Sequence, residues 1–128
     1  MNPVVPEWIE KAEGDYATAG REMRVRKNPN YDAVCFHAQQ CAEKYMKAML
    51  LDANVSFTKT HNLIALLELL LPLDATWEIL RPQLQRLNGY AVQARYPGET
   101  ADRSIAREAL GLCSNVRLRA RSRLGLKP

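Results

Sequence analysis

Two histidines and one short polar run hold most of the chemistry this 128-residue chain offers. The run is HAQQCAEKYMK, His37 to Lys47, and it sits inside Ala33 to Leu51, which otherwise reads as core. His37 and His61 are the only imidazoles. Histidine titrates near neutrality, so either could act as a general base; equally, each could hydrogen-bond locally, His61 fixing a loop beside Asn62. Gln40, Glu43, Lys44 and Lys47 recur at steps of three and four, so on a helix they form one polar stripe. That stripe reads as a solvated face, with Glu43 and Lys47 an acid-first i, i+4 pair, or as a packing face of a dimer whose charges are satisfied across the interface. In QARYPG, Pro97 restricts Tyr96 to extended backbone and holds Arg95 and Tyr96 beside a turn. An arginine placed there suits an anion site, or a salt bridge to Glu43 or Asp102.

Other reactive residue types are less suggestive. Cys35, Cys41 and Cys113 form no C-x-x-C pair, and two histidines are poor material for zinc, so the thiols read as small buried hydrophobes and no metal is expected. Arg117, Arg119, Arg121 and Arg123 alternate. On a helix they divide into two faces, Arg117 with Arg121 and Arg119 with Arg123, where cations favour the C-terminal end of the dipole; a frayed basic tail gripping phosphates and a short strand are the other readings. The chain contains no glycine-rich phosphate loop, no H-E-x-x-H and no G-x-S-x-G, so no cofactor is expected.

The elements that must position these residues are helices. Trp8, Ile9, Ala12, Tyr16, Ala19 and Met23 make one apolar stripe after Pro6, ended by KNPN. A second helix spans about Tyr31 to Asp52. Val34, Ala38, Cys41, Ala42, Tyr45, Met46 and Met49 cover most of its girth, the mark of a central bundle helix. Asn62 caps a short third helix. Trp77, Leu80, Leu84, Leu87 and Ala91 stay in register through a fourth, which Pro82 kinks or restarts. The last begins near Thr100 or Asp102 and carries Ile105, Ala109, Leu112, Cys113, Val116 and Ala120. The expected fold is all-α: one domain over residues 1–128, a bundle of about five helices around a four-helix up-and-down core.

Composition agrees with a globular chain, 47% apolar and 25% charged. No apolar run reaches the roughly 20 residues of a membrane span, and the N-terminus has no signal-peptide pattern, so a cytoplasmic location is expected. The net charge of +4 lies wholly in the second half, a mild attraction for phosphate-rich partners.

Taken in order, YDAVCFHAQQCAEKYMKAML, then FTKTHNL, then ARYPG resemble the prokaryotic HEPN domain family, small helical partners of minimal nucleotidyltransferases. The resemblance covers nearly the whole chain. It implies a homodimer packed about a two-fold, with the polar stripe as a shared surface. It also implies nucleotide binding, or ribonuclease action within a toxin–antitoxin pair. Nuclease members carry an arginine, four to six residues and then a histidine near the last helix. Here positions 54–56 before His61 are Asn, Val and Ser, positions 30–32 before His37 are Asn, Tyr and Asp, and no histidine follows residue 61. The expectation is therefore a non-catalytic HEPN protein binding a nucleotide, a minimal nucleotidyltransferase or both through Gln40, Glu43, Lys44, Lys47, His61, Arg95 and Tyr96. Two alternatives stand beside it: a divergent metal-independent ribonuclease toxin using His61 or His37 with Arg95, and an assembly protein without ligand.

Overall fold

Side-chain caps set the starts of three helices. Asn30 Oδ1 accepts from the Ala33 N–H at 3.0 Å, Asn62 Oδ1 from Ile64 at 2.9 Å, and Asp102 Oδ1 from Ile105 at 2.8 Å. Each satisfies a donor that the first turn leaves without an intrahelical partner. The computed structural model describes residues 2–93 and 96–128. In order they form α1 (Val4–Met23), α2 (Tyr31–Asp52), α3 (Leu63–Leu70), a 3-10 turn (Ala75–Leu80), α4 (Arg81–Gln93) and α5 (Arg103–Arg123), with no strand among the described residues. Pro82 restarts the chain as α-helix: it lies in the first turn of α4, where a missing N–H costs nothing.

Two helix ends use left-handed residues. After α2, Asn54 adopts φ 58° while the Val55 N–H reaches the Leu50 carbonyl at 2.8 Å. After α5, Gly125 adopts φ 74° and the Leu126 N–H reaches the Arg121 carbonyl at 2.8 Å. Both are Schellman closures. The YPGE segment is a tight turn in which Gly98 has φ 88° and the Glu99 N–H meets the Tyr96 carbonyl at 3.4 Å, the type II arrangement of proline followed by glycine.

Cross-links between helices give their directions. Glu13 of α1 meets Tyr45 of α2 and Asp15 meets His37, so α1 and α2 run antiparallel. Ala101 bonds Asp32 at the start of α2 and Arg121 bonds Tyr45 farther along, so α5 runs parallel to α2. Tyr90 meets Glu108 and Gln83 meets Asn115, so α4 opposes α5. Helices α1, α2, α4 and α5 thus form an up-and-down four-helix core, with α3 packed at its side. Helix α2 is central: every residue from Tyr45 to Leu50 is buried, as are Val34, Ala38, Cys41 and Ala42. The expected register of the fourth segment also holds, with Trp77, Leu80, Leu84, Leu87 and Ala91 all buried. All three thiols are free and buried. Burial and the neighbouring Asp32 push the Cys35 thiol up to about 11, and the Cys113 hydrogen bond together with burial raises Cys41, so both are held as inert thiols.

The alternating arginines lie on an intact helix and divide as expected. Arg117 forks onto Glu13, Nε and Nη2 each donating at 2.7 Å, and its guanidinium stacks 4.6 Å from the Tyr16 ring centroid. Tyr45 donates to the same carboxylate at 2.6 Å and accepts from Arg121 at 3.0 Å. On the other face, Arg119 donates to Thr76 and Arg123 to the Leu73 carbonyl. The terminal helix is therefore built into the bundle rather than frayed, because Glu13 and the α3–α4 connection supply its partners.

The Arg117 hydrogen bonds hold the Glu13 carboxyl below its ordinary value of 4.5, outweighing the opposing effect of burial. A carboxylate whose folded pKa is lowered contributes stability above its unfolded pKa and loses it as pH falls through the folded one. Thermal melts of the native protein and Glu13→Gln should therefore differ most near neutrality, with the native protein higher. As pH falls below 4.5 and on through the lowered value, the two curves should converge.

Candidate functional site

Helix α2 carries two charged side chains into the interior. Glu43 is 2% exposed and Lys47 5%, and Gln39 one turn earlier is 1%. A buried charge is tolerated only when paired and hydrogen-bonded, and here each requirement is met. Lys47 Nζ donates to Glu43 Oε2 at 3.0 Å. The same ammonium lies 5.6 Å from the Trp8 ring of α1 and 5.7 Å from the Phe57 ring of the loop after α2, between two aromatic faces. Glu43 Oε1 receives His61 Nδ1 at 3.1 Å and Gln39 Nε2 at 3.4 Å. Gln39 Nε2 also donates to the His61 carbonyl at 2.8 Å. Among the described residues no buried side-chain nitrogen or oxygen is left without a partner.

This arrangement corrects the expectation of one open polar stripe. Lys47 turns into the protein between Trp8 and Phe57, and Glu43 turns with it, held by Lys47, His61 and Gln39. Lys44, half-buried, donates to Asp15 of α1 at 2.5 Å, and the other oxygen of Asp15 meets His37 Nδ1 at 2.8 Å. Gln40, half-buried, donates to Gln39 Oε1 at 2.8 Å. Helix α1 thus supplies partners for residues that the periodicity of α2 alone would leave facing solvent. His37 is tied to Asp15, whereas His61 is 59% exposed as a side chain, with its ring at the mouth of a cleft.

The cleft holds about 570 Å³ and opens between α2, α3 and α4. Gln39 and His61 line one side, Asn62 the start of α3, and Asn88, Gly89, Ala91 and Val92 the α4 wall. Asn88 fixes that wall: its Oδ1 accepts from the Leu63 N–H at 3.1 Å and its Nδ2 donates to Asn62 Oδ1 at 2.9 Å. With Glu43 accepting, His61 carries its hydrogen on Nδ1, and in the neutral ring Nε2 is left as an acceptor. The cleft therefore presents an oriented imidazole and an asparagine amide beside an apolar wall. Gln39, Asn62 and Asn88 were absent from the expected site. Asn62 was signalled only as a helix cap, Gln39 only by its place in the HAQQ motif, and Asn88 not at all, since its pairing with Asn62 spans 26 residues. Tyr96, in the turn beyond α4, is 62% exposed. Arg95 lies outside the described residues. Among those residues no group of three His, Cys, Asp or Glu is placed to hold a metal, and no helix is long and apolar enough to cross a membrane.

A scan against protein-family models matches the HEPN domain over residues 5–122. The chain belongs to the HEPN domain family. The crystal structure of TT1696 from Thermus thermophilus superimposes with a TM-score of 0.77 at 25% identity, covering 96% of this HEPN chain and 99% of that one. No curated protein matches. The up-and-down core with its lateral α3 is thus this HEPN domain's arrangement, and the Glu43–Lys47 pair is buried on its central helix α2.

Removing one member of the pair strands the other in the interior. Lys47→Met and Glu43→Leu should each lower stability by about 3–5 kcal/mol, whereas the double variant should recover much of that loss. Urea unfolding of all four proteins, closed as a double-mutant cycle, gives the coupling directly.

Proposed function

We propose that this HEPN protein is a non-catalytic, homodimeric module that binds a nucleotide and works beside a minimal nucleotidyltransferase, in a two-component system of the toxin–antitoxin kind. The α2–α3–α4 cleft is the observation that carries the ligand part of this reading. Its apolar wall at Ala91 and Val92 suits the face of a nucleobase. Asn62 and His61 supply a donor and an acceptor for the edge of a base, chemistry typical of small-ligand sites with few polar groups on an apolar lining. Glu43 and Lys47 act here as positioning residues, holding the imidazole rather than touching ligand. Half-buried Gln40 and Lys44, exposed Tyr96, and Arg95 remain the proposed contacts with a second copy or with phosphate. Family membership supports the nucleotidyltransferase partnership by analogy of fold, and cytoplasmic residence follows from the same analogy.

Isothermal titration with ATP and GTP tests the ligand reading. Saturable heat is expected for at least one nucleotide, weakened about tenfold or more in Asn88→Ala, whose amide anchors the α4 wall. No heat at millimolar nucleotide would sink it. Sedimentation equilibrium tests the dimer, and a monomer at all concentrations would remove that part.

One observation favours a second reading, a divergent ribonuclease. His61 hydrogen-bonds Glu43 through Nδ1 and faces the cleft, the arrangement of a carboxylate-oriented general base. Incubation with labelled RNA decides between them: cleavage that disappears in His61→Ala and Arg95→Ala would replace the non-catalytic reading, and intact RNA supports it.

A further inference from the structure

A second cleft, of about 610 Å³, lies away from the first and shares none of its lining residues. It is formed where the end of α1, the start of α2 and the start of α5 come together, and Arg24, Arg26, Arg103, Arg107 and Tyr31 line it with Met23 and Val25. The acids nearest these arginines in sequence are committed elsewhere. Glu22 Oε1 accepts from the Asn30 N–H at 2.6 Å, Asp32 Oδ1 from Ala101 at 2.8 Å, Asp102 Oδ1 from Ile105 at 2.8 Å, and Glu108 Oε2 from the Tyr90 hydroxyl at 2.8 Å. Elsewhere in the molecule arginines meet carboxylates: Arg81 with Glu68 and Glu78, Arg86 with Glu108, Arg117 with Glu13. Among the described residues, none of the four cleft guanidiniums has such a partner.

Two of the four, those on α5, are also unfavourably placed without a ligand. Arg103 is the first residue of the helix and Arg107 lies one turn on, at the positive end of the macrodipole, where cations are disfavoured. An anion in the cleft reverses that cost, because the same helix end and the same guanidiniums then both attract it. Guanidinium groups fork onto phosphate oxygens, four of them around one cleft match several phosphates in series, and Tyr31 offers a ring for stacking.

We propose that this cleft binds a run of phosphate groups, either the triphosphate tail of a nucleotide or the phosphodiester backbone of a single-stranded RNA, independently of the α2–α3–α4 cleft.

Titration of the full-length protein with inorganic triphosphate, ATP and a short single-stranded RNA tests this at low and moderate salt. Saturable triphosphate binding is expected, weakened at least tenfold in Arg103→Ser/Arg107→Ser and by far less in Arg119→Ser/Arg123→Ser, which removes the same charge at the other end of α5. Asn88→Ala, which disturbs only the first cleft, should leave it unchanged. Measured in the Asn88→Ala background, ATP binding that is tighter than triphosphate and lost with Arg103→Ser/Arg107→Ser assigns a nucleotide tail, and tighter RNA binding with a steeper salt dependence, lost in the same way, assigns a strand; either supports the proposal. No triphosphate binding, equal losses in the two double variants, or preference for a polyglutamate peptide over triphosphate would overturn it. Melting of Arg103→Ser/Arg107→Ser at or above the native temperature shows that the loss is not unfolding.

Discussion

The Glu43–Lys47 pair is the constraint around which the site end of this bundle is organised. Two opposite charges placed in the interior of one helix must be enclosed, paired and hydrogen-bonded together, since desolvating either alone costs several kcal/mol. Trp8 and Phe57 enclose the ammonium, and Gln39 and His61 complete the carboxylate. Those four residues come from α1, from the α2–α3 loop and from α2 itself, so a single electrostatic requirement draws three segments of chain to one point. The orientation of His61, and with it the mouth of the α2–α3–α4 cleft, is a consequence.

On the opposite face of α2 a second polar cluster does comparable work with less burial. Glu13 gathers Arg117 and Tyr45, and Arg121 braces the same tyrosine, tying α1, α2 and α5. Asp15 adds a bridge from α1 to His37 and Lys44. Helix α1 therefore holds to α2 through acid side chains at Glu13 and Asp15 as well as through Val5, Ala12 and Ala19. This polar lacing fixes the rotation of α1 about its axis, which small alanines alone would specify weakly.

Much of the fold was legible. The apolar period of α2 reads directly as a central helix, and Asn62 and Asp102 announce helix starts through a local mechanism involving only the next turn. Pro82 marks the restart of α4 for an equally local reason. The site was less legible. Gln40, Glu43, Lys44 and Lys47 share a face, but whether a face is wet depends on what lies across it, and nothing near residue 43 in sequence reveals Trp8 or Phe57. Gln39 was missed because it falls off the stripe, and Asn88 because its partners Asn62 and Leu63 are some 25 residues away.

Sequence by itself determined the helical class, the caps, the centrality of α2 and the HEPN resemblance, because each rests on spacing within one or two turns or on an ordered set of short motifs. Only the tertiary structure decided that Glu43 and Lys47 are interior, that His61 is aimed by a carboxylate, and that the arginines of α5 have opposite fates. Arg117 and Arg121 find Glu13, while Arg103 and Arg107 meet Arg24 and Arg26 across an open cleft. The charge on each arginine is written in the chain; its surroundings are set by which distant helix packs beside it.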